Sequence, residues 1–209
     1  MKIALFGGTG GTGKEFLKKA LEEGYQVKML ARTPSKVSTN SPQLEIVKGN
    51  VLNAGDVSRT VEGTDVVVSL FGHVKGSPKW LQSDGTFNIL SAMKTYGVKK
   101  IISLSGGGLP FEKDQPKFPD KLIRFIMKVA VPKVLNDAVR HAEVLKESGQ
   151  KWVIVRGPRL TDEPEKGSYR VGWVGVNAST SIGRADLADF ILTQVGSDEY
   201  IHQMPFVSY

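Results

Sequence analysis

The chain contains no cysteine, which excludes disulfides, thiolate nucleophiles and thiolate-held metals. Its three histidines, His73, His141 and His202, stand too far apart to form a metal-ligand pattern. No apolar run approaches the ~20 residues of a membrane span. The opening Met1-Lys2-Ile3-Ala4-Leu5-Phe6 is too short for a signal peptide before it turns into glycine. There is no internal repeat, low-complexity tract or linker. These absences lead to the expectation of a metal-free cytoplasmic protein, one domain over residues 1–209, with neither a membrane nor a nucleic acid as partner.

What is present is ordinary for a globular protein: 40% hydrophobic and 23% charged residues in a chain of 209, enough for one full core. The 28 Lys and Arg against 21 Asp and Glu give a net charge of +7, but most of the cations are scattered. The densest basic stretch runs from Lys117 to Lys133, where Lys117, Lys121, Arg124, Lys128 and Lys133 alternate with Phe118, Phe125 and other apolar residues. It reads either as a solvated amphipathic face or as attraction for an anionic ligand or surface.

Apolar runs predict strands at Lys2–Phe6, Gln26–Ala31, Leu44–Lys48, Asp65–Leu70, Lys100–Leu104 and Trp152–Arg156. Helical spacing predicts helices at Lys14–Glu23, Asp56–Glu62, Leu81–Tyr96 and Asp120–Ser148, the last broken or kinked at Pro132 and ended by Gly149. Strands alternating with helices mean parallel β-α-β units and an α/β doubly wound, Rossmann-like sheet covered on both faces. In such a sheet ligands bind outside the carboxyl ends of the strands, where the strand order reverses.

After the first predicted strand, Gly7 to Gly13 hold five glycines, with Thr9 and Thr12 between them. Three glycines at a fixed spacing are weak evidence, but a strand before and a helix after make a dinucleotide cradle of Gly7, Gly10, Gly11 and Gly13, rather than a plain turn, the favoured reading. After the second strand stand Arg32, Ser35 and Lys36 with no acid. A guanidinium suits the 2′-phosphate of NADP, and a carboxylate for the free ribose of NAD is missing. NADP(H) is therefore expected over NAD(H). After the third strand, Asn50 could bond an adenine edge and Val51 and Leu52 could flank the ring. After the fourth come Phe71, Gly72 and His73. Glycine there lets backbone approach a sugar or nicotinamide, and His73 could act as an acid or donor.

The runs "GGTGGTG", "ARTPSK", "GNVLNAGDVSRTVEGTDVVVSLFG", "KKIISLSGGG" and "HAEVLKESGQKWVIVRGPRLTDEP" follow one another as they do in atypical short-chain dehydrogenases. The chain resembles their NAD(P)H-binding, NmrA-like group, in particular single-domain reductases similar to biliverdin-IXβ reductase (flavin reductase). The resemblance implies a glycine loop on the pyrophosphate and a basic loop on the 2′-phosphate. It also implies Phe71, Gly72, His73, Leu104 and Ser105 beside the nicotinamide, with Pro158, Arg159 and Leu160 as a closing loop. Typical short-chain dehydrogenases add a Tyr-x-x-x-Lys pair after the serine strand. Here the literal match, Tyr96 to Lys100, precedes that strand. The helix that should carry the pair reads Asn136, Asp137, Arg140, His141 and Lys146.

The resemblance thus implies an NADPH-dependent reductase working by orientation on a flavin, quinone or similar flat acceptor, with Ser105 as the candidate catalytic side chain. The alternative is a non-catalytic NADP(H)-binding sensor. Residues 107–133 are expected to form the variable substrate side. The stripe Leu122, Phe125, Ile126 and Val129 is expected to pack in a core or oligomer, or to wall the substrate. The chain is expected to be a monomer or homodimer.

Overall fold

The computed structural model describes residues 1–209. Its elements are β1 (Lys2–Phe6), α1 (Gly11–Glu22), β2 (Gln26–Ala31), β3 (Leu44–Lys48), α2 (Ala54–Val61), β4 (Val66–Ser69), α3 (Leu81–Tyr96) and β5 (Lys100–Gly106). There follow α4 (Phe118–Ala130), α5 (Pro132–Lys146), β6 (Lys151–Gly157), β7 (Arg159–Thr161), β8 (Arg170–Gly172), β9 (Ser181–Gly183), α6 (Arg184–Gly196) and β10 (Phe206–Ser208). The main sheet has the order β3-β2-β1-β4-β5-β6-β10-β8, parallel except for β8, and β7 with β9 form a separate parallel pair.

Because β1 pairs with β2 on one side and β4 on the other, the chain reverses direction across the sheet at β1. The crevice at its carboxyl end is the ligand position of a doubly wound sheet. Alternation along β1 sends Ile3 and Leu5 into the core under α1 and α6, and Ala4 and Phe6 into the core under α2, α3 and α5. Burial on both faces is why the central strands read as continuous apolar runs.

The predicted strands recur at or within two residues of the observed ones. Helix α1 starts at Gly11, earlier than its apolar spacing suggests, because three of its first-turn neighbours are glycines that carry no periodic signal. The long predicted helix is two: the chain breaks at Val131, ahead of Pro132, and Gly149 follows at φ 68°. The segment after β6 carries no local signal of its elements. Strands β7 to β10 have three residues each, too short to show alternation. Helix α6 buries Asp186, Leu187, Ala188, Phe190, Ile191, Leu192, Gln194 and Val195, so it has apolar contacts nearly all round and no polar stripe to reveal its period.

One correction concerns the stripe on α4. None of that helix's residues is buried, and Leu122, Phe125, Ile126 and Val129 are all exposed. They are not core.

The loop before α4 is held differently. Fully buried Arg156 on β6 forms two 2.8 Å bonds to the carboxylate of Asp114 and donates to the carbonyls of Leu109 and Met204. Asp114 also accepts the amides of Phe111 and Val174. The guanidinium lies 5.8 Å from the ring centres of both Phe111 and Phe206. Four of the five guanidinium N–H groups find acceptors, and a buried charge is tolerated when it is paired and hydrogen-bonded in this way. Asp114→Ala leaves Arg156 buried and unpaired and should cost about 3–5 kcal/mol in urea unfolding. The double variant Arg156→Met with Asp114→Leu should recover most of that. A single variant as stable as the parent would show that the pair does not hold the loop.

Candidate functional site

The crevice begins where β1 turns into α1. Gly7 has φ 86°, and a side chain there would collide with the backbone of Leu70 and Phe71 at the end of β4. A side chain at Gly13 would collide with the backbone of Gly7 and Gly8, so glycine lets α1 sit directly against the turn. Gly10 is different. Its φ of −76° suits any residue, and an added Cβ would have its nearest neighbour, the Gly7 carbonyl oxygen, at 3.4 Å. The fold alone does not require glycine at position 10. The amides of Gly11, Thr12 and Gly13 find no backbone acceptor, as expected for the first turn of a helix, and face the crevice with its positive dipole end.

Two cavities open along the carboxyl ends on either side of Phe71 and Gly72. The smaller, about 80 Å³, is lined by Gly7, Thr9, Arg32, Asn50 and Val51 among others. Arg32 is exposed and makes no ion pair. Ser35 and Lys36 follow in the 3-10 turn Pro34–Lys36, also exposed. Asn50 is oriented: its amide donates to Asp56 at 2.8 Å and its side-chain oxygen accepts from Leu52 at 3.1 Å, which leaves its side-chain NH2 free for a ligand. Leu52 itself is half exposed and lies outside the cavity lining.

The second cavity, about 210 Å³, is lined by Phe71, Gly72, His73, Leu104, Ser105, Pro158 and Leu160. Ser105 is 7% exposed and its hydroxyl has no partner in the protein. A buried, unpaired hydroxyl beside an open cavity fits a group that a ligand is to satisfy. Arg159 faces a third, larger cavity of about 640 Å³, together with Gly107, Phe111, Arg124 and Phe206. The second and third cavities share Gly106, Leu109, Met127 and Pro158, so they are neighbours across one wall.

Several residues here escaped sequence reasoning. Asp137 of α5, fully buried, accepts the amides of Gln82 and Ser83 at 2.7 and 3.0 Å, the Ser83 hydroxyl at 2.5 Å, and His73 Nε2 at 2.6 Å. Burial works against its charge, but the Ser83 hydroxyl, the two amides and His73 together hold its carboxyl below the usual range. It therefore closes the start of α3 and fixes the imidazole of His73, whose Nε2–H donates to it, at the cavity wall. Gln82 donates to the Leu104 carbonyl at 3.0 Å and joins α3 to the end of β5. Arg184, at the start of α6, lies over Gly11 and donates to Asp162 at 2.7 Å. Only a contact spanning most of the chain puts that cation at the turn, so no local signal marks it.

The Tyr96–Lys100 match is remote from all of this. Tyr96 ends α3 and bonds Ser58, and Lys100 begins β5 and bonds Ser197 and Asp198, at the opposite edge of the sheet. The helix facing Ser105 offers His141, but that imidazole is fully buried against Ser103 at 2.9 Å. Burial pushes its pKa down to about 4 despite the nearby Asp137 charge, so at neutral pH it is a neutral imidazole and not an imidazolium acid.

Two measurements follow from this geometry. Gly10→Ala should stay within about 0.5 kcal/mol of the parent's stability, yet lose the rise in melting temperature that NADPH gives the parent. A folded variant that keeps that rise contradicts the cradle. A histidine whose pKa is lower folded than unfolded is protonated first in the unfolded chain, so stability falls as pH drops from about 6.5 towards 4. The loss from His141 is roughly 3 kcal/mol by pH 4, and His141→Gln should flatten that part of the urea-midpoint profile. Parallel profiles for parent and variant would contradict it.

Comparisons with known proteins agree with the geometry. A protein 25% identical over 190 residues, an uncharacterized chloroplastic protein of Arabidopsis thaliana, matches 80% of the chain, which spans 62% of that relative's length. Among solved structures, a short-chain dehydrogenase/reductase of Veillonella parvula in complex with NADP superposes with a TM-score of 0.81 at 16% identity, covering 100% of this chain and 94% of that one. ChuY, an anaerobilin reductase from Escherichia coli O157:H7, does so with a TM-score of 0.80 at 17% identity, covering 100% and 97%. At such identities the likeness is one of fold. The family described as NAD(P)H-binding matches residues 7–198, and with the glycine turn, the reversed strand order and the open crevice it identifies the chain as a member of that family.

Proposed function

We propose that the protein is an NADPH-dependent reductase that passes hydride to a flavin, quinone or similar flat conjugated acceptor. The observation that carries this reading is the pair of adjoining cavities at the ends of β5 and β6. One, about 210 Å³ and lined by Gly72, Ser105 and Pro158, has room for a nicotinamide, and the other, about 640 Å³, leaves room for an acceptor beyond it. Bound NADPH supplies the hydride.

The chain's own residues do the rest. The amides of Gly11, Thr12 and Gly13 take the pyrophosphate at the helix start, with the Arg184 cation above Gly11 as a further partner. Arg32 and Lys36 hold the 2′-phosphate through charge-assisted bonds. Asn50 and Val51 meet the adenine. Ser105 donates or accepts at the nicotinamide amide, and Pro158 and Leu160 keep water from that side. His73, fixed by Asp137, is the one titratable side chain lining the inner cavity. Arg159 and Arg124 line the outer cavity and suit an anionic group on the acceptor. Hydride delivery to an electron-poor ring depends on orientation more than on a strong protein acid, which is consistent with a site that lacks the Tyr-Lys pair.

That same lack favours a second reading, an NADP(H) sensor without turnover. The room beside the inner cavity favours the enzyme, because a sensor has no need of an acceptor space.

Arg32→Ala should weaken NADPH binding by about 1.5–3 kcal/mol and leave NADH binding nearly unchanged in calorimetric titration. Equal affinity of the parent for both nucleotides contradicts NADP selectivity. In steady-state reduction of a quinone or flavin, Tyr96→Phe should leave turnover unchanged. Ser105→Ala should lose less than the roughly 100-fold minimum expected for a general acid. Arg159→Ala should raise KM more than it lowers kcat. Collapse of activity in Tyr96→Phe with NADPH binding intact would put the active site elsewhere.

A further inference from the structure

Helix α4 presents its apolar side to the wrong partner. At about 100° per residue, Asp120 and Met127 share one side, and they are the only members of the helix that are not fully exposed. Met127 packs over Gly108, so this is the side turned to the protein. The opposite side carries Phe118, Leu122, Phe125, Ile126 and Val129, which are 79%, 50%, 64%, 54% and 68% exposed. Scattered apolar residues on a surface need no explanation. Five aligned on one stripe, pointing away from the core, form a surface that seeks cover.

The charges around the stripe say what covers it. Lys117, Lys121, Arg124, Lys128 and Lys133 lie along the same segment, and none of them takes part in an ion pair. The one carboxylate on α4, Asp120, turns inward and accepts the Lys117 amide at 2.8 Å, closing the start of the helix. A second copy of this chain placed on the stripe would bring five uncompensated cations against five. An anionic lipid surface accepts both features at once, with apolar side chains at the acyl boundary and cations among the headgroups.

We propose that α4 is a surface anchor for an anionic lipid bilayer, lying in the interface plane without crossing it. This replaces the expectation of no membrane partner, which the sequence allowed because the stripe could equally have faced a core. The proposal does not depend on the reductase reading. It does add that the inner side of the same helix, through Ile123, Arg124 and Met127, walls the outer cavity. The face meeting lipid and the face meeting an acceptor are thus two sides of one element.

The test is cosedimentation of the whole chain with phosphatidylcholine vesicles, with and without phosphatidylglycerol. Two double variants accompany it: Leu122→Asp with Phe125→Asp, and Lys121→Glu with Lys128→Glu. All four positions are exposed, so the variants should keep the parent's melting temperature and NADPH-induced rise. The parent should bind vesicles containing phosphatidylglycerol and not pure phosphatidylcholine, and high salt should release it. Each double variant should bind at least about tenfold more weakly. Failure of the parent to bind anionic vesicles, or equal binding by parent and variants, overturns the proposal. So does a lipid-free dimer in sedimentation equilibrium that the Leu122→Asp, Phe125→Asp variant dissociates, because the cover would then be a second copy. Absence of NADPH-dependent acceptor reduction by a parent that binds the anionic vesicles would count against the reductase reading alone.

Discussion

The close approach of α1 to the end of β1 sets the geometry of everything else. No side chain fits at Gly7, Gly8 or Gly13, where backbone and the Met29 and Leu5 side chains already fill the space. With those positions bare, the start of α1 comes down onto the carboxyl edge of the sheet and aims unpaired amides across it. The same turn brings Gly7 against the end of β4, which sets Phe71 and Gly72 between the two cavities. Gly10, the N-cap of α1, is the glycine of this turn that the packing leaves unconstrained.

The far side of the crevice is built on a contrast. Arg156 and Asp114 fasten the loop after β5 to β6 and to the turn that follows β8 through a buried, bidentate pair. Beyond that loop, α4 touches the body chiefly through Met127. The outer cavity is therefore walled by one fastened segment and one helix held by few contacts. Asp137 plays the fastening part on the inner side, where one carboxylate joins α3, α5 and His73. In both places an acid takes backbone amides and a cation or imidazole together, so its charge is spread over several donors.

How much of this was legible in the sequence depended on the range of the interaction. The central strands were legible because burial on both faces makes them continuous apolar runs, as in Val66–Ser69 and Lys151–Gly157. The turn, the basic loop and the positions at the strand ends were legible because topology alone places them along one edge. Asp137, Gln82 and Arg184 were not, since each acts through a partner tens to hundreds of residues away in a contact that no local pattern encodes. The orientation of α4 was also hidden. Periodicity shows that a helix has an apolar side, and only the fold shows which way that side points. The Tyr96 to Lys100 match shows the converse, a correct spacing at the wrong edge of the sheet.

The central claim is that this NAD(P)H-binding chain moves hydride from a nicotinamide beside Ser105 to an acceptor in the outer cavity, across the shared wall at Gly106 and Pro158. The most direct measurement is acceptor reduction by the purified protein with NADPH carrying deuterium at either face of the nicotinamide C4. The account predicts turnover with a quinone or flavin, a normal primary isotope effect from one label, none from the other, and deuterium leaving the cofactor only from the face that shows the effect. Tight, saturable NADPH binding with no reduction of any acceptor would contradict it and leave the protein a nucleotide sensor.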